Sequence, residues 1–261
     1  MIKRLFSGII MLLLFVIFYL LGGIYFISIM SLIGILAYKE IIFLKKYPPI
    51  VMFIGLFCII SLILSNSFGF NYISGVNYPS IIGTIIFLIL PSLLPKHQKS
   101  YTMDDAFGLI GMILFVGIAL GSINQIMLSN RYLLLYIISI TALNDIFAYL
   151  VGVSIGKHKF SKISPKKSIE GLIGGNIAGI VGGIIIHLIL IPNSIDFFSL
   201  LILTIILSIS GQLGDLIFSK IKREKQIKDF SNLIPGHGGI LDRLDSVLFT
   251  SLMYLFITSI F

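Results

Sequence analysis

Long apolar stretches separated by short polar segments dominate this sequence, and they constrain its fold more than any other feature. Hydrophobic residues make up 57% of the 261 residues and charged residues only 11%, with a mean hydropathy of +1.07. A soluble domain of this length carries about a quarter charged residues. The polar side chains are too few to cover a globule in water, so lipid must surround much of the surface.

The apolar stretches number nine by our division of the sequence, and each approaches the roughly 20 residues that a helix needs to cross a bilayer. We therefore predict an all-α, polytopic membrane protein with nine transmembrane helices in a single membrane domain, 1–261. The predicted spans are two in 5–38, divided at Gly22-Gly23, and then 49–65, 79–94, 106–127, 132–155, 169–191, 197–218 and 244–261.

The distribution of basic residues predicts the orientation in the membrane. With the N-terminus in the cytosol, Arg131 is the only Lys or Arg outside, and the other eighteen of nineteen lie in cytosolic segments, as the positive-inside rule requires. Eleven of them fall within 157–167 and 220–243, so we expect the chemistry there. The net charge of +8 does not indicate nucleic-acid binding, because no soluble basic domain carries it. The single Cys58 excludes an internal disulfide.

Four aspartates in or beside the predicted spans are the first candidates for function, because a carboxylate in a membrane is costly. Asp145 and Asp215 lie in apolar spans, and Asp242 and Asp245 begin the last span on one helical face. Carboxylates at one depth beside basic loops indicate a cation that holds a polyphosphate, and Mg²⁺ suits oxygen ligands. Ion pairs, for example with Arg243, are the structural alternative.

The other acidic residues are expected to have structural roles or to be solvated. Asp104 and Asp105 precede a helix and are expected to cap it. Glu40, beside Lys39, and Asp196, in a short loop, are expected to be solvated charges. Close helix packing is the expected role of four glycines in the seventh span: Gly174, Gly175, Gly182 and Gly183.

Residues 219–246 read SKIKREKQIKDFSNLIPGHGGILDRLDS and contain S-x-x-K-R, K-D, P-G-H-G-G and D-R-x-D. This segment closely resembles the signature of the phosphatidate cytidylyltransferase family. The matching positions are Ser219, Lys222, Arg223, Lys228, Asp229, Pro235, Gly236, His237, Gly238, Gly239, Asp242, Arg243 and Asp245.

A second block, within residues 144–175, is similar to the central loop of the same family. Ile146 departs from the pattern, because the family commonly has Thr there. The resemblance covers roughly residues 140–261. Its matching positions are Asn144, Asp145, Lys157, Ser164, Pro165, Lys166, Lys167, Ser168, Glu170 and Gly171.

The resemblance implies an enzyme that makes CDP-diacylglycerol and pyrophosphate from CTP and phosphatidic acid. It implies metal binding by Asp215, Asp242 and Asp245, with Mg²⁺ and a monovalent cation such as K⁺, and catalysis by these residues with Lys222 and Arg223. It also implies a homodimer in the plasma (inner) membrane of a prokaryote, with its active site facing the cytosol. On the same basis, residues 1–100 are expected to be scaffold and dimerisation helices, and residues 140–261 to be the catalytic helices and loops. The implied substrate-binding residues are Asn144, Asp145, Lys166, Lys167, Ser219, His237, Gly238, Gly239 and Arg243.

The PGHGG stretch allows the backbone to approach a phosphate closely, and the helix that follows is expected to add an anion-binding N-terminus. His237 could contact phosphate, base or the loop itself. Two other functions remain open. One is a CTP-dependent transferase that acts on a different lipid phosphate. The other is a cation-coupled transporter, which would favour acidic residues at the membrane midplane and broken helices.

Overall fold

A computed structural model describes residues 2–65, 77–95, 100–161, 164, 167–192 and 194–260, with side chains from residue 6 onward. These residues form nine α-helices and no strand, which confirms the all-α prediction. Each helix coincides with a predicted apolar stretch. The helices are α1 (Ile2–Leu21), α2 (Gly23–Phe43), α3 (Pro49–Ser65), α4 (Tyr78–Ile89), which a 3₁₀ helix (Leu90–Leu93) extends, α5 (Met103–Ser129), α6 (Arg131–Ile155), α7 (Ile169–Leu190), α8 (Phe197–Glu224) and α9 (Leu241–Ile260).

Six helices in the described part of the chain, α2 and α5 to α9, are long and apolar enough to cross a membrane. The apolar parts of α1, α3 and α4 are shorter, at 10–17 residues. The chain is therefore an integral membrane protein by the length and composition of its helices. The count of nine spans and the cytosolic N-terminus stay predictions.

Two helix boundaries differ from the predicted spans and change where signature residues lie. α8 continues to Glu224, so Ser219, Lys222 and Arg223 belong to a helix instead of a loop. α9 begins at Leu241, ahead of the predicted start. Hydropathy marks where an apolar stretch ends, whereas a helix can continue into water when basic side chains in its last turn complement the partial negative charge there.

The chain divides into two compact units. Unit 1 comprises Met1–Leu128 with Asp229–Arg243, and unit 2 comprises Ser129–Lys228 with Leu244–Phe261. In unit 1, α2 packs against α1 and α3, and α3 packs against α4. The predicted capping by Asp105 is confirmed, since its Oδ2 accepts a hydrogen bond from Thr102 N at 2.9 Å. The same carboxylate pairs with Lys45 at 2.6 Å.

Unit 2 is built on α6, α7 and α8, which pack against one another. Glycines of α7 face α6 directly, and a Cβ on Gly175 would lie 2.5 Å from Asn144 Oδ1. The side chain of Val151 packs on Gly174 in the same way. The prediction that these glycines permit close packing is confirmed. Asp196 is exposed, as predicted, and it caps α8 by accepting a hydrogen bond from Ser199 N at 2.9 Å.

Candidate active site

A cavity of about 530 Å³ opens in unit 2 against α6, the start of α7 and α8. Glycine and apolar side chains form much of its wall. Four predicted site residues reach it: Asn144, Asp145 and Lys167 come from the family-like block 144–175, and Asp215 lies between the two blocks. The polar and charged residues that line the cavity are Asn144, Asp145, Tyr149, Lys167, Ser168, Gln212 and Asp215.

Lys167 and Asp215 form an ion pair at this cavity. Lys167 directly precedes α7, whose N-cap Ser168 accepts a hydrogen bond from Gly171 N at 3.1 Å and so fixes the local backbone. The side chains of Lys167 and Asp215 are 24% and 23% exposed, respectively. Because both are partly open to the cavity, an incoming anion or cation can compete for either partner.

Asp215 is the first of three polar side chains that lie along one face of α8. Ser219 and Lys222 follow at positions i+4 and i+7, a spacing that places side chains on the same face of a helix. Ser219 Oγ donates a weak hydrogen bond to Asp215 Oδ1 at 3.4 Å. Lys222 is buried at 8% exposure, which is unusual for a lysine and requires negative charge nearby.

That negative charge is supplied within unit 2 by Asp245. Its carboxylate is also 8% exposed and lies within electrostatic range of Lys222, and of Asp215 and Asp145, which repel it. The structure therefore gathers three of the predicted carboxylates and the predicted Lys222 in one unit. Such a cluster attracts a cation that would relieve the repulsion between carboxylates.

Asn144, at the wall of the cavity, belongs to a buried amide network. It is 1% exposed, its Nδ2 donates to Ser208 O at 2.9 Å, and its Oδ1 accepts from Gln212 Nε2 at 2.7 Å. Gln212 Nε2 also donates to Leu172 O at 2.8 Å, and its Oε1 accepts from Asn176 at 2.9 Å. Gln212 and Asn176 were not among the residues predicted from the sequence, although amides inside apolar spans are a signal for such a network.

The signature loop, residues 229–243, belongs to unit 1. Its PGHGG stretch contains a β-turn in which His237 N donates to Ile234 O at 2.9 Å. Pro235 and Gly236 occupy the turn corners, and Gly236 has φ 79°, as a type II turn requires. Gly238, with φ 85°, then pairs with Ile234 in an isolated β-bridge. The two glycines are thus needed for their backbone conformation.

Asp242 and Arg243 hold this loop through backbone contacts. Asp242 Oδ2 accepts hydrogen bonds from Phe230 N at 2.8 Å and Gly239 N at 2.9 Å. Arg243 Nε donates to His237 O at 2.9 Å. These contacts give both residues a structural role, and their predicted roles toward metal and phosphate stay predictions.

Glu40 also contacts the signature loop, and the prediction that it is a solvated charge is wrong. It is 2% exposed and accepts hydrogen bonds from Ile240 N at 2.8 Å, Leu241 N at 2.9 Å and Ser231 Oγ at 2.6 Å. Glu40 follows Lys39 near a helix end, and that local sequence gave no signal that a loop two hundred positions away covers it.

The amides at the start of the last helix, where the sequence predicts a helix end that favours anions, have acceptors within the chain. Gly239 N donates to Asp242, whereas Ile240 N and Leu241 N donate to Glu40. Carboxylates of the chain itself therefore occupy the donors that an anion would need.

His237 is held by α1. Ser7 Oγ lies 2.8 Å from its Nδ1 and also donates to Pro235 O at 3.1 Å. Ser7 Oγ thus lies within hydrogen-bond distance of both the His237 ring and the carbonyl of Pro235. The predicted contacts of His237 with phosphate or base stay predictions.

The remaining predicted residues have simpler surroundings. Arg223 is exposed, and its Nη1 donates to Ile227 O at 3.2 Å just beyond α8. Lys166 lies outside the described residues. Among the residues that are described, no group of three or more His, Cys, Asp and Glu side chains is arranged to hold a metal ion. Asp215 and Asp245, as two carboxylates, fit the way Mg²⁺ is held by one or two carboxylates plus substrate phosphates.

Fold and site together define an integral membrane protein with a charged cavity suited to a phosphate-bearing substrate. A model of the cytidylyltransferase family matches residues 2–261, and the chain belongs to this family. The prediction of family membership is thereby confirmed.

Several relatives are named phosphatidate cytidylyltransferase. That of Staphylococcus haemolyticus (strain JCSC1435) is 36% identical over 250 residues, covering 94% of each chain. That of Bacillus subtilis (strain 168) is 31% identical over 266 residues, covering 99% of this chain and 98% of the relative. That of Staphylococcus aureus (strain COL) is 33% identical over 252 residues and 94% of each chain.

Proposed function

We propose that this chain transfers a cytidylyl group from CTP to phosphatidic acid and so forms CDP-diacylglycerol and pyrophosphate. The observation that carries the proposal is the ion pair of Lys167 with Asp215 at the cavity of unit 2, beside Lys222 and Asp245. Lys167, Lys222 and Asp245 come from the two blocks that resemble the family, and Asp215 lies between those blocks. Relatives of nearly equal length carry the name of this activity.

In the proposed reaction, a phosphate oxygen of phosphatidic acid attacks the α-phosphorus of CTP. The bond from the α-phosphorus to the oxygen that bridges it to the β-phosphorus breaks, and pyrophosphate leaves with that electron pair. A phosphate monoester dianion is already a competent nucleophile, so no strong general base is needed. Positioning and electrostatic stabilisation by the chain carry the rate.

The basic residues would neutralise the phosphates, with Lys167 at the cavity and Lys222 buried beside the carboxylates. Lys166, Arg223 and Arg243 are proposed to assist them on the strength of the signature. Asp215 and Asp245 are the proposed ligands of Mg²⁺ in unit 2, and the role of Asp242 toward the metal and the second cation K⁺ are proposed from the family resemblance alone. Bound Mg²⁺ would neutralise charge on the attacked phosphate and on the leaving pyrophosphate.

The membrane arrangement proposed with this function is nine spans with a cytosolic N-terminus. It follows from the distribution of basic residues and would place 157–167 and 220–243 in the cytosol, where CTP is found. The proposed location is the plasma membrane, and the proposed assembly is a homodimer, as the family resemblance implies.

Pyrophosphate release from the purified, detergent-solubilised protein tests the function. We expect release that requires CTP, Mg²⁺ and phosphatidic acid together and that is lost in Asp245→Asn. Release only with another lipid phosphate, such as an ether-linked one, would assign a different acceptor. A folded protein that binds no CTP would overturn the proposal and reopen the transporter alternative.

A further inference from the structure

The carboxylate of Glu40 is buried against the signature loop, and the proposed reaction gives it no role. We propose that Glu40 is a positioning residue, which fixes the signature loop and thereby the side chains of Asp242 and His237. The effect on turnover rests on the proposed function, whereas the effect on the loop does not.

Glu40 contacts both ends of the signature loop. Ser231, near its start, donates a hydroxyl hydrogen bond to Oε1 at 2.6 Å, and Ile240 N donates to the same oxygen at 2.8 Å. Leu241 N donates to Oε2 at 2.9 Å. One side chain of α2 thus joins the two ends of the loop, which Asp242 also connects through its hydrogen bond from Phe230 N.

Charge and burial both support this role. A carboxylate at 2% exposure is stable only when hydrogen-bond donors compensate for the water it has lost. Two of its donors are backbone amides at the start of α9, where the partial positive charge of a helix favours an anion. Removing the charge therefore weakens the interaction at every donor simultaneously.

Steric fit indicates that the loop is shaped around Glu40. A Cβ built on Gly239 would lie 2.6 Å from Glu40 Oε1 and 2.7 Å from Oε2. Only glycine allows the backbone to approach the carboxylate this closely. The second G of the GG pair in PGHGG thus has a partner outside the signature.

Glu40 can affect the proposed chemistry because the amides that it binds follow directly on the amide that binds Asp242. Gly239 N is bonded to Asp242, and the next two amides, Ile240 N and Leu241 N, are bonded to Glu40. If Glu40 releases its amides, the turn that presents Gly239 to Asp242 loses its support. His237, two residues before Gly239, moves with the same segment.

The variant that tests this inference is Glu40→Gln, which keeps the size of the side chain but replaces one acceptor oxygen with an NH₂ donor. Tyr38→Phe is the matched control, because Tyr38 is a buried residue of the same helix whose hydroxyl donates to Met52 O at 2.8 Å, away from the loop. Both variants are compared with the wild type by gel filtration and thermal unfolding in one detergent.

Two readouts are then collected on the full chain. Hydrogen exchange is measured at Ile240 and Leu241, and steady-state pyrophosphate release is measured with CTP and phosphatidic acid. In Glu40→Gln we expect faster exchange at both amides. We also expect kcat to fall by roughly tenfold to a hundredfold, the range for a lost hydrogen bond to a charged group. Tyr38→Phe should change neither quantity.

Exchange that stays slow in Glu40→Gln overturns the inference. Faster exchange with unchanged kcat also overturns it, because Glu40 would then be merely structural. If Glu40→Gln fails to fold, Ser231→Ala replaces it, since this change removes one of the three donors to the carboxylate. A wild type that releases no pyrophosphate contradicts the proposed function, and the exchange data would still decide whether Glu40 anchors the loop.

Discussion

Lys167 and Asp215 form an ion pair across the cavity of unit 2, one at the start of α7 and the other on α8. Lys167 belongs to the family-like block 144–175, whereas Asp215 lies between the two blocks. The pair keeps a carboxylate and an ammonium partly exposed in the same place, as the proposed binding of a metal-bound polyphosphate requires.

Lys167→Met should lower kcat/KM for CTP by at least about tenfold, because the variant removes a positive charge from the phosphate-binding region. Lys220→Met is the control, since Lys220 lies on α8 with its side chain 64% exposed and paired only with Glu224 in the part of the chain described. Steady-state kinetics with varied CTP measure the effect. Equal kinetics in the two variants would contradict the role assigned to Lys167.

Gln212→Leu should lower the free energy of unfolding by about 1–3 kcal/mol, the cost of leaving buried partners unsatisfied. It removes the donor to Asn144 Oδ1 and to Leu172 O and the acceptor of Asn176. Denaturation in a fixed detergent measures the change. Ser210→Ala is the control on α8, because that hydroxyl bonds Ile206 O of its own helix. Equal stability of the two variants would count against the network.

Gly239→Ala should reduce both stability and turnover, because its Cβ would meet the Glu40 carboxylate at 2.6 Å. Gly108→Ala is the matched change in unit 1, since a Cβ there meets nothing within 4 Å. Because Gly108 lies in the interior of α5, Gly108→Ala should raise the free energy of unfolding by about 0.5–1 kcal/mol. Thermal unfolding and pyrophosphate release are measured on both. A fully active and stable Gly239→Ala protein would show that the close approach is not required.

Ser7→Ala should lower turnover by roughly twofold to tenfold, because a neutral hydrogen bond to His237 is worth about 0.5–1.5 kcal/mol. Ser28→Ala provides the comparison, as its hydroxyl donates to Ile24 O within α2. Initial rates at saturating CTP distinguish the two. If Ser7→Ala and Ser28→Ala have the same rate, the orientation of His237 by α1 has no effect on turnover.

The helices could be predicted from the sequence because lipid requires continuous apolar stretches and backbone hydrogen bonds satisfied within each helix. The residues at which the helices begin and end are harder to predict. α8 extends through Lys222 and Arg223, and α9 starts before Asp242, because charged residues can continue a helix beyond the hydrocarbon.

The site was predictable where a residue lies within a recognisable motif or, like Asp215, is an acidic residue in an apolar span. Asp215, Asp245, Lys167 and Lys222 were all named from the sequence, and the structure groups them in unit 2. Their roles toward metal and substrate stay predictions.

Residues whose role depends on distant partners were missed. Glu40 looked like a surface charge because its donors at 231, 240 and 241 are remote in sequence. Gln212 is one polar residue in an apolar span, and its partners come from other helices. The packing of α6, α7 and α8 is what lets it join Asn144 to Asn176.

Transfer of the cytidylyl group can be followed through the phosphorus atoms of CTP. Purified protein is given phosphatidic acid and Mg²⁺ with CTP that carries radioactive phosphorus at either the α or the γ position, and the lipid is then extracted. If the chain transfers the cytidylyl group, the α label moves into the lipid and the γ label stays in water as pyrophosphate. A γ label in the lipid, or an α label that never leaves the water, would show that it does not.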